Sequence, residues 1–142
     1  MVATGVSVSD DVIHEFNKNV NQHRSQTTFV IYKIEDEKLI VTEYLSKSKD
    51  LDEFLSHLPA DECRYALYKT SYTTRDGRPG EKLVKISWSP SEASVRNKMI
   101  YAASSAALGS VLGGAVTVKI DVNHIEDLTV EVMEESCQRY SS

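Results

Sequence analysis

The sequence predicts an α/β (α+β) sandwich, a central mixed β-sheet of five to six strands flanked by helices on both faces. Three observations predict it. Runs of β-branched and aromatic residues interleave with segments of helical periodicity in the order α-ββ-α-ββ-α-β-α. Two of the strand pairs are separated only by short polar stretches, the pattern of hairpins. The 142 residues are 41% hydrophobic and 26% charged, which suits one folded domain over 1–142 rather than a disordered chain. A domain of this length buries about two-thirds of its unfolded surface without help from a metal or a disulfide.

Ser9 precedes Asp10 and Asp11, a cap followed by acids that suit the positive end of a helix. Val12, Ile13, Phe16 and Val20 then recur at helical spacing, which places helix one over 10–19. Residues 28–34 and 39–44 are β-branched and aromatic and are separated by Asp36-Glu37, so they read as a hairpin. Asp50 caps a short helix carrying Leu51, Phe54, Leu55 and Leu58, which Pro59 stops. A strand over 63–68, reaching toward 72, leads through the polar segment 73–80 into a strand over 82–88, giving a second hairpin with a basic tip. Residues 92–112 form the longest helix, with Val95, Met99, Ala102 and Ala106 on one stripe, then Leu108, Val111 and Leu112, ended by Gly113-Gly114. A strand over 115–120 and a helix over 125–139, carrying Leu128, Val132 and Met133 among carboxylates, complete the chain.

Composition excludes several functions. The formal net charge of -5 and the absence of any basic run of four argue against nucleic-acid wrapping. No window approaches the 18 or so apolar residues of a membrane span, and the first residues lack a charged leader and apolar stretch, so a cytoplasmic location is expected. Cys63 and Cys137, far apart in such a chain, read as two reduced thiols. His14, His23, His57 and His124 are scattered without ligand spacing and read as surface histidines, so neither metal nor cofactor is expected. Gly109, Gly113 and Gly114 follow a helix rather than a strand and lack a Walker lysine. No G-x-S-x-G elbow occurs. Charge is distributed unevenly. Residues 69–98 hold seven cations (Lys69, Arg75, Arg78, Lys82, Lys85, Arg96 and Lys98) against three acids, and 121–139 hold six acids against one base. Such flanks suit electrostatic docking to a protein partner.

Specific strings narrow this further. Leu58-Pro59-Ala60-Asp61-Glu62-Cys63-Arg64-Tyr65-Ala66-Leu67-Tyr68 resembles the LP-x-x-DCRYAIYD segment of the ADF/cofilin family of actin-depolymerising proteins. Ile86-Ser87-Trp88-Ser89-Pro90 is similar to its I-x-WSP strand end, and Val95-Arg96-Asn97-Lys98-Met99-Ile100-Tyr101-Ala102 to its V-[RK]-x-KM-[VM]-YAS helix start. Thr4-Gly5-Val6 before a capped helix matches the family's N-terminus, so the resemblance spans essentially the whole chain.

The resemblance implies a monomeric actin-binding protein with no enzymatic activity and no cofactor. In this family the long helix and the N-terminal segment enter a cleft of the actin monomer, preferentially its ADP form, and binding to filaments promotes severing and subunit release. Carried over by position, the monomer-binding residues are Thr4, Gly5, Val6, Arg96, Lys98 and Met99, with Thr4 standing where many relatives have a phosphorylatable serine. Lys82 matches the filament-binding basic position, Arg78 in the longer loop serves nearby, Glu134 matches an acidic position, and Arg139 lies beside a basic position occupied here by Gln138. Departures from the pattern are informative. The arginine expected after Glu134 is Glu135, and the long helix reads Ala103-Ser104-Ser105-Ala106-Ala107-Leu108-Gly109-Ser110-Val111-Leu112 where the family has ASSKDALRRAL. Three cations are missing there, which predicts weak or atypical severing and weak or absent phosphoinositide binding. The competing reading, a coactosin-like protein that holds filament sides without severing, is opposed by the KM-x-YA string.

Overall fold

The computed structural model describes residues 5–20, 26–116 and 118–139. Thr4 and His23 therefore lie outside the described residues. Among the described residues, six strands and four α-helices follow in order: β1 (Ser7–Val8), α1 (Asp10–Glu15), β2 (Phe29–Glu35), β3 (Leu39–Ser46), α2 (Leu51–Ser56), β4 (Arg64–Thr73), β5 (Pro79–Trp88), α3 (Val95–Leu112), β6 (Val118–Val122) and α4 (Val130–Arg139). They build one six-stranded sheet in the order β1-β3-β2-β4-β5-β6. The four middle strands are antiparallel, and the outer pairs, β1 with β3 and β5 with β6, are parallel, so the sheet is mixed as expected.

The central strands are buried on both faces because successive side chains alternate between two cores. Phe29 and Ile31 of β2, with Ala66 and Tyr68 of β4, pack with Phe54 of α2 and Met133 and Cys137 of α4. Val30 and Tyr32, with Tyr65 and Leu67, pack on the opposite face with Val12 of α1 and with Tyr101, Leu108 and Leu112 of α3. Helices α1, α2 and α3 are held by their capping chemistry as well as by their packing. The Ser9 hydroxyl accepts from the Asp11 amide, the Asp50 carboxylate from Asp52, and the Ser94 hydroxyl from Asn97.

Several boundaries moved for identifiable reasons. The first helix keeps α-geometry only to Glu15 and continues as a wider π-turn over Phe16–Val20. The long helix begins at Val95 rather than 92 because Ser94 is its extended cap. Gly113–Ala115 form a 3₁₀ turn that delays the last strand to Val118. The closing helix is two elements, a 3₁₀ turn at Ile125–Asp127 and then α4. Leu128 thus enters the core from the connection, and Val132 points outward. β1 was not expected; a two-residue strand is too short to show a period. Both cysteines are free and buried.

The stripe assigned to the long helix also needs correction. Val95 (73% exposed), Met99 (65%), Ala102 and Ala106 face solvent, and the helix buries Tyr101, Ser104, Leu108 and Leu112 instead. Apolar residues lie on both sides of this helix, so periodicity alone does not identify its inner face.

Candidate protein-binding surface

The start of α3 is anchored from within, which turns its other side into a rigid outward ridge. The Asn97 side-chain oxygen accepts from the Cys63 amide at 2.8 Å, tying the first turn to the head of β4. One turn on, the Tyr101 hydroxyl accepts from the Ile34 amide at 2.8 Å, and the Tyr101 carbonyl accepts from the Tyr65 hydroxyl. With Asn97 and Tyr101 facing in, Val95, Met99 and Ala102 are presented outward at helical spacing.

Arg96 and Lys98 flank this ridge. The Lys98 ammonium donates to the Ser91 carbonyl at 3.1 Å, within the segment that leads into the helix. The Arg96 Nε and Nη2 groups donate to the two carboxylate oxygens of Glu37, each at 2.7 Å. Glu37 lies on the β2–β3 turn, where Asp36 and Glu37 both take positive φ, 52° and 58°. The Arg96 guanidinium holds the Glu37 carboxyl below the usual carboxylate range, chiefly through these hydrogen bonds. Glu37 could not be found by spacing or motif, because it becomes part of the surface only when β2 and β3 bring their turn beside α3.

The N-terminal segment completes the surface. Ser7 N–H donates to the Lys38 carbonyl and Ser9 N–H to that of Ile40, each at 2.9 Å, which lays β1 along β3 and brings Gly5 and Val6 beside the same turn. Gly5 (φ 72°), Asp36, Glu37, Val95, Arg96 and Met99 line a groove of about 580 Å³. Of the six monomer-binding residues expected, Gly5, Arg96 and Met99 line this groove. Val6 packs against the core beside it, Lys98 stands on the far side of the ridge at a second cavity of about 410 Å³, and Thr4 is not described.

The second expected surface is assembled from β4, β5 and α4. The Gln138 side chain donates to the Thr73 carbonyl at 2.8 Å and joins α4 to the hairpin. Lys82, half-buried on β5, and Glu134 on α4 both act electrostatically on the Cys137 thiol, which burial pushes up. Two of the expected cations are paired within the chain. Arg78 donates from Nε to Asp76 at 2.9 Å, with Nη2 2.6 Å from the same carboxylate, and Arg139 lies 3.4 Å from Glu135 one turn back. Arg75, at the same hairpin tip, is exposed and has no ion pair among the described residues.

The basic flank is smaller than its residue count implies. Lys85 is only 3% exposed; its ammonium donates to the Ser105 carbonyl and hydroxyl at 3.2 and 2.6 Å and lies over the Tyr65 ring. Lys85 secures the underside of α3 and cannot reach a partner. Among the described residues, no group of three His, Cys, Asp or Glu side chains is placed to hold a metal, and no helix is long and apolar enough to cross a membrane.

Comparison with known proteins agrees with this architecture. The chain is 37% identical over 141 residues to cofilin from Yarrowia lipolytica, covering 98% of this chain and 90% of that protein. Its fold matches the crystal structure of Streptomyces griseoflavus cofilin with a TM-score of 0.83 at 29% identity, covering 95% and 98% of the two chains. Human coactosin-like protein matches with a TM-score of 0.81 over 100% and 94% of the two chains, but at 11% identity this likeness shows a shared fold alone. The sequence model of the family described as cofilin/tropomyosin-type actin-binding protein matches residues 5–138. This chain therefore belongs to the ADF/cofilin family.

Proposed function

We propose that this protein binds the actin monomer through the start of α3 and the adjoining N-terminal segment, promotes depolymerisation, and severs filaments weakly. The observation that carries the reading is the outward ridge of Val95, Met99 and Ala102, set between Arg96 and Lys98 on a helix anchored from below. Large exposed side chains on a rigid element suit docking, since little backbone freedom is left to lose on association. Methionine adapts its shape to an apolar cleft, and the two cations complement an acidic rim.

Weak filament contact has its own support. The outward part of α3 beyond Lys98 carries no cation. On the second surface the position after Glu134, where the resemblance leads one to expect an arginine, is the exposed Glu135, so a carboxylate faces the acidic partner in place of a cation. Phosphorylation at Thr4 belongs to the same proposal. Its neighbour in sequence, Gly5, lines the groove, and a phosphate on Thr4 would add negative charge that opposes an acidic partner.

Native gel shift and pyrene-actin assembly with ADP- and ATP-actin test the reading. The wild-type protein is expected to shift monomeric actin, and Arg96→Ala/Lys98→Ala to lose at least about tenfold in affinity. Absence of any shift by the wild type in both nucleotide states would refute monomer binding. Near-stoichiometric cosedimentation with filaments and rapid fragmentation under the microscope would refute weak severing.

A further inference from the structure

The β2–β3 turn breaks a local rule. A β-turn with positive φ at both central positions, closed here by the Lys38 N–H donating to the Glu35 carbonyl at 3.0 Å, favours Asn-Gly or Asp-Gly, because the second residue then has no Cβ to crowd the backbone. This chain places Asp36 and Glu37 there, at 52° and 58°. A glutamate is poorly suited to that second position, and local conflicts of this kind persist where the surrounding structure holds the residue for another purpose. The partner that holds Glu37 is Arg96, 59 residues away in sequence.

The geometry of the pair indicates its role. Glu37 grips the guanidinium side-on, through Nε and Nη2. An arginine has five N–H donors in a fixed planar fork, so this grip leaves one Nη1 and one Nη2 hydrogen side by side along the end-on edge, with the second Nη1 hydrogen pointing back along the side chain. That edge can accept a second carboxylate end-on without breaking either bond to Glu37. The Arg96 side chain is 75% exposed, and Met99 and Val95 beside it form the apolar part of the same groove. An exposed arginine without such a grip samples many rotamers and loses that freedom on docking.

Resting on the actin-binding reading, we infer that Glu37 is a positioning residue: it orders Arg96 beside Met99 before association, with the end-on edge free to receive a carboxylate of the partner. Glu37 is thus a support for the cation and not a competitor for it.

Two variants test this. Glu37→Gly makes the turn an Asp-Gly sequence, and Glu37→Gln keeps the backbone while removing the charge and one acceptor. Both are expected to weaken monomer binding by about threefold to tenfold. The same substitutions in an Arg96→Ala background are expected to change affinity by less than about twofold, because the route of action has been removed. Glu37→Gly is further expected to unfold at the wild-type temperature or above it, whereas a merely structural role would lower stability and affinity together. Tighter binding by either variant, unchanged binding, or an undiminished loss in the Arg96→Ala background would overturn the inference. Nitrogen-15 NMR of the arginine Nε–H groups, without actin, reads the grip itself: a slowly exchanging Arg96 signal is expected in the wild type and its loss in Glu37→Gln. A fast-exchanging wild-type signal also overturns the inference. A wild type that shows the grip but binds no actin removes the actin-binding reading, and this inference with it.

Discussion

Tyr101 connects the interior of the protein to its candidate surface. Its hydroxyl is the acceptor for the Ile34 amide, near the end of β2, and its backbone carbonyl is the acceptor for Tyr65 on β4. Removing the hydroxyl leaves the Ile34 N–H without that partner one residue before the turn-bearing end of the strand. Tyr101→Phe is therefore expected to cost about 1–2 kcal/mol of stability, read from urea unfolding midpoints. Neither this contact nor the Arg96–Glu37 pair was legible in the sequence, since each joins residues distant along the chain. Arg96, Lys98 and Met99 themselves were legible, through the string that resembles the family's helix start. Lys85 shows the converse: it was counted among surface cations because a lysine is usually exposed, yet β5 directs it under α3, where Ser105 satisfies it.

At the level of elements, α3 has to be a docking surface and a core helix at once. Its apolar residues at 95, 99 and 102 face out while Tyr101, Leu108 and Leu112 face in, so the sequence has no single hydrophobic side. Asn97 and Tyr101 fix the rotation of the helix by hydrogen bonds that periodicity cannot reveal. The second half of the helix is less demanding. A methyl group added at Gly109 would meet nothing within 4 Å. Gly109→Ala is expected to raise stability by about 0.5–1 kcal/mol, since glycine loses more backbone freedom than alanine in a helix interior. The measurement is the urea midpoint, with monomer affinity expected to stay unchanged because Gly109 lies more than two turns beyond Met99.

The whole molecule is two cores divided by one sheet, with Tyr32, Tyr65, Tyr68, Tyr72 and Tyr101 embedded in them. Burial pushes the phenols of Tyr32, Tyr65, Tyr68 and Tyr101 up from the ordinary value of 10.0. Above that pH the folded protein keeps protons that the unfolded chain releases. The tyrosine contribution to stability is therefore complete below pH 10.0 and is lost as the pH rises past it. Lys85 acts in the opposite direction, because burial lowers it from 10.5, but it is one group against four. Urea midpoints are expected to fall steeply above pH 10.0, with the last part of the tyrosinate absorbance, that of these four buried phenols, appearing together with the loss of circular dichroism. Complete tyrosinate absorbance in a still-folded protein would contradict this account.

By itself, the sequence determined the type and order of the main elements, both hairpins, the capping residues Ser9 and Asp50, and membership of the ADF/cofilin family. These follow from torsional preference, capping and short-range pattern, all of which act over a few residues. Tertiary structure alone decided which side of α3 faces outward, that Lys85 is buried, that a two-residue β1 aligns Gly5 and Val6 with the groove, and that Arg96 meets Glu37. Those depend on which strands become neighbours and on how a helix is rotated upon them, and the free energy that settles both resides in contacts between residues far apart in the chain.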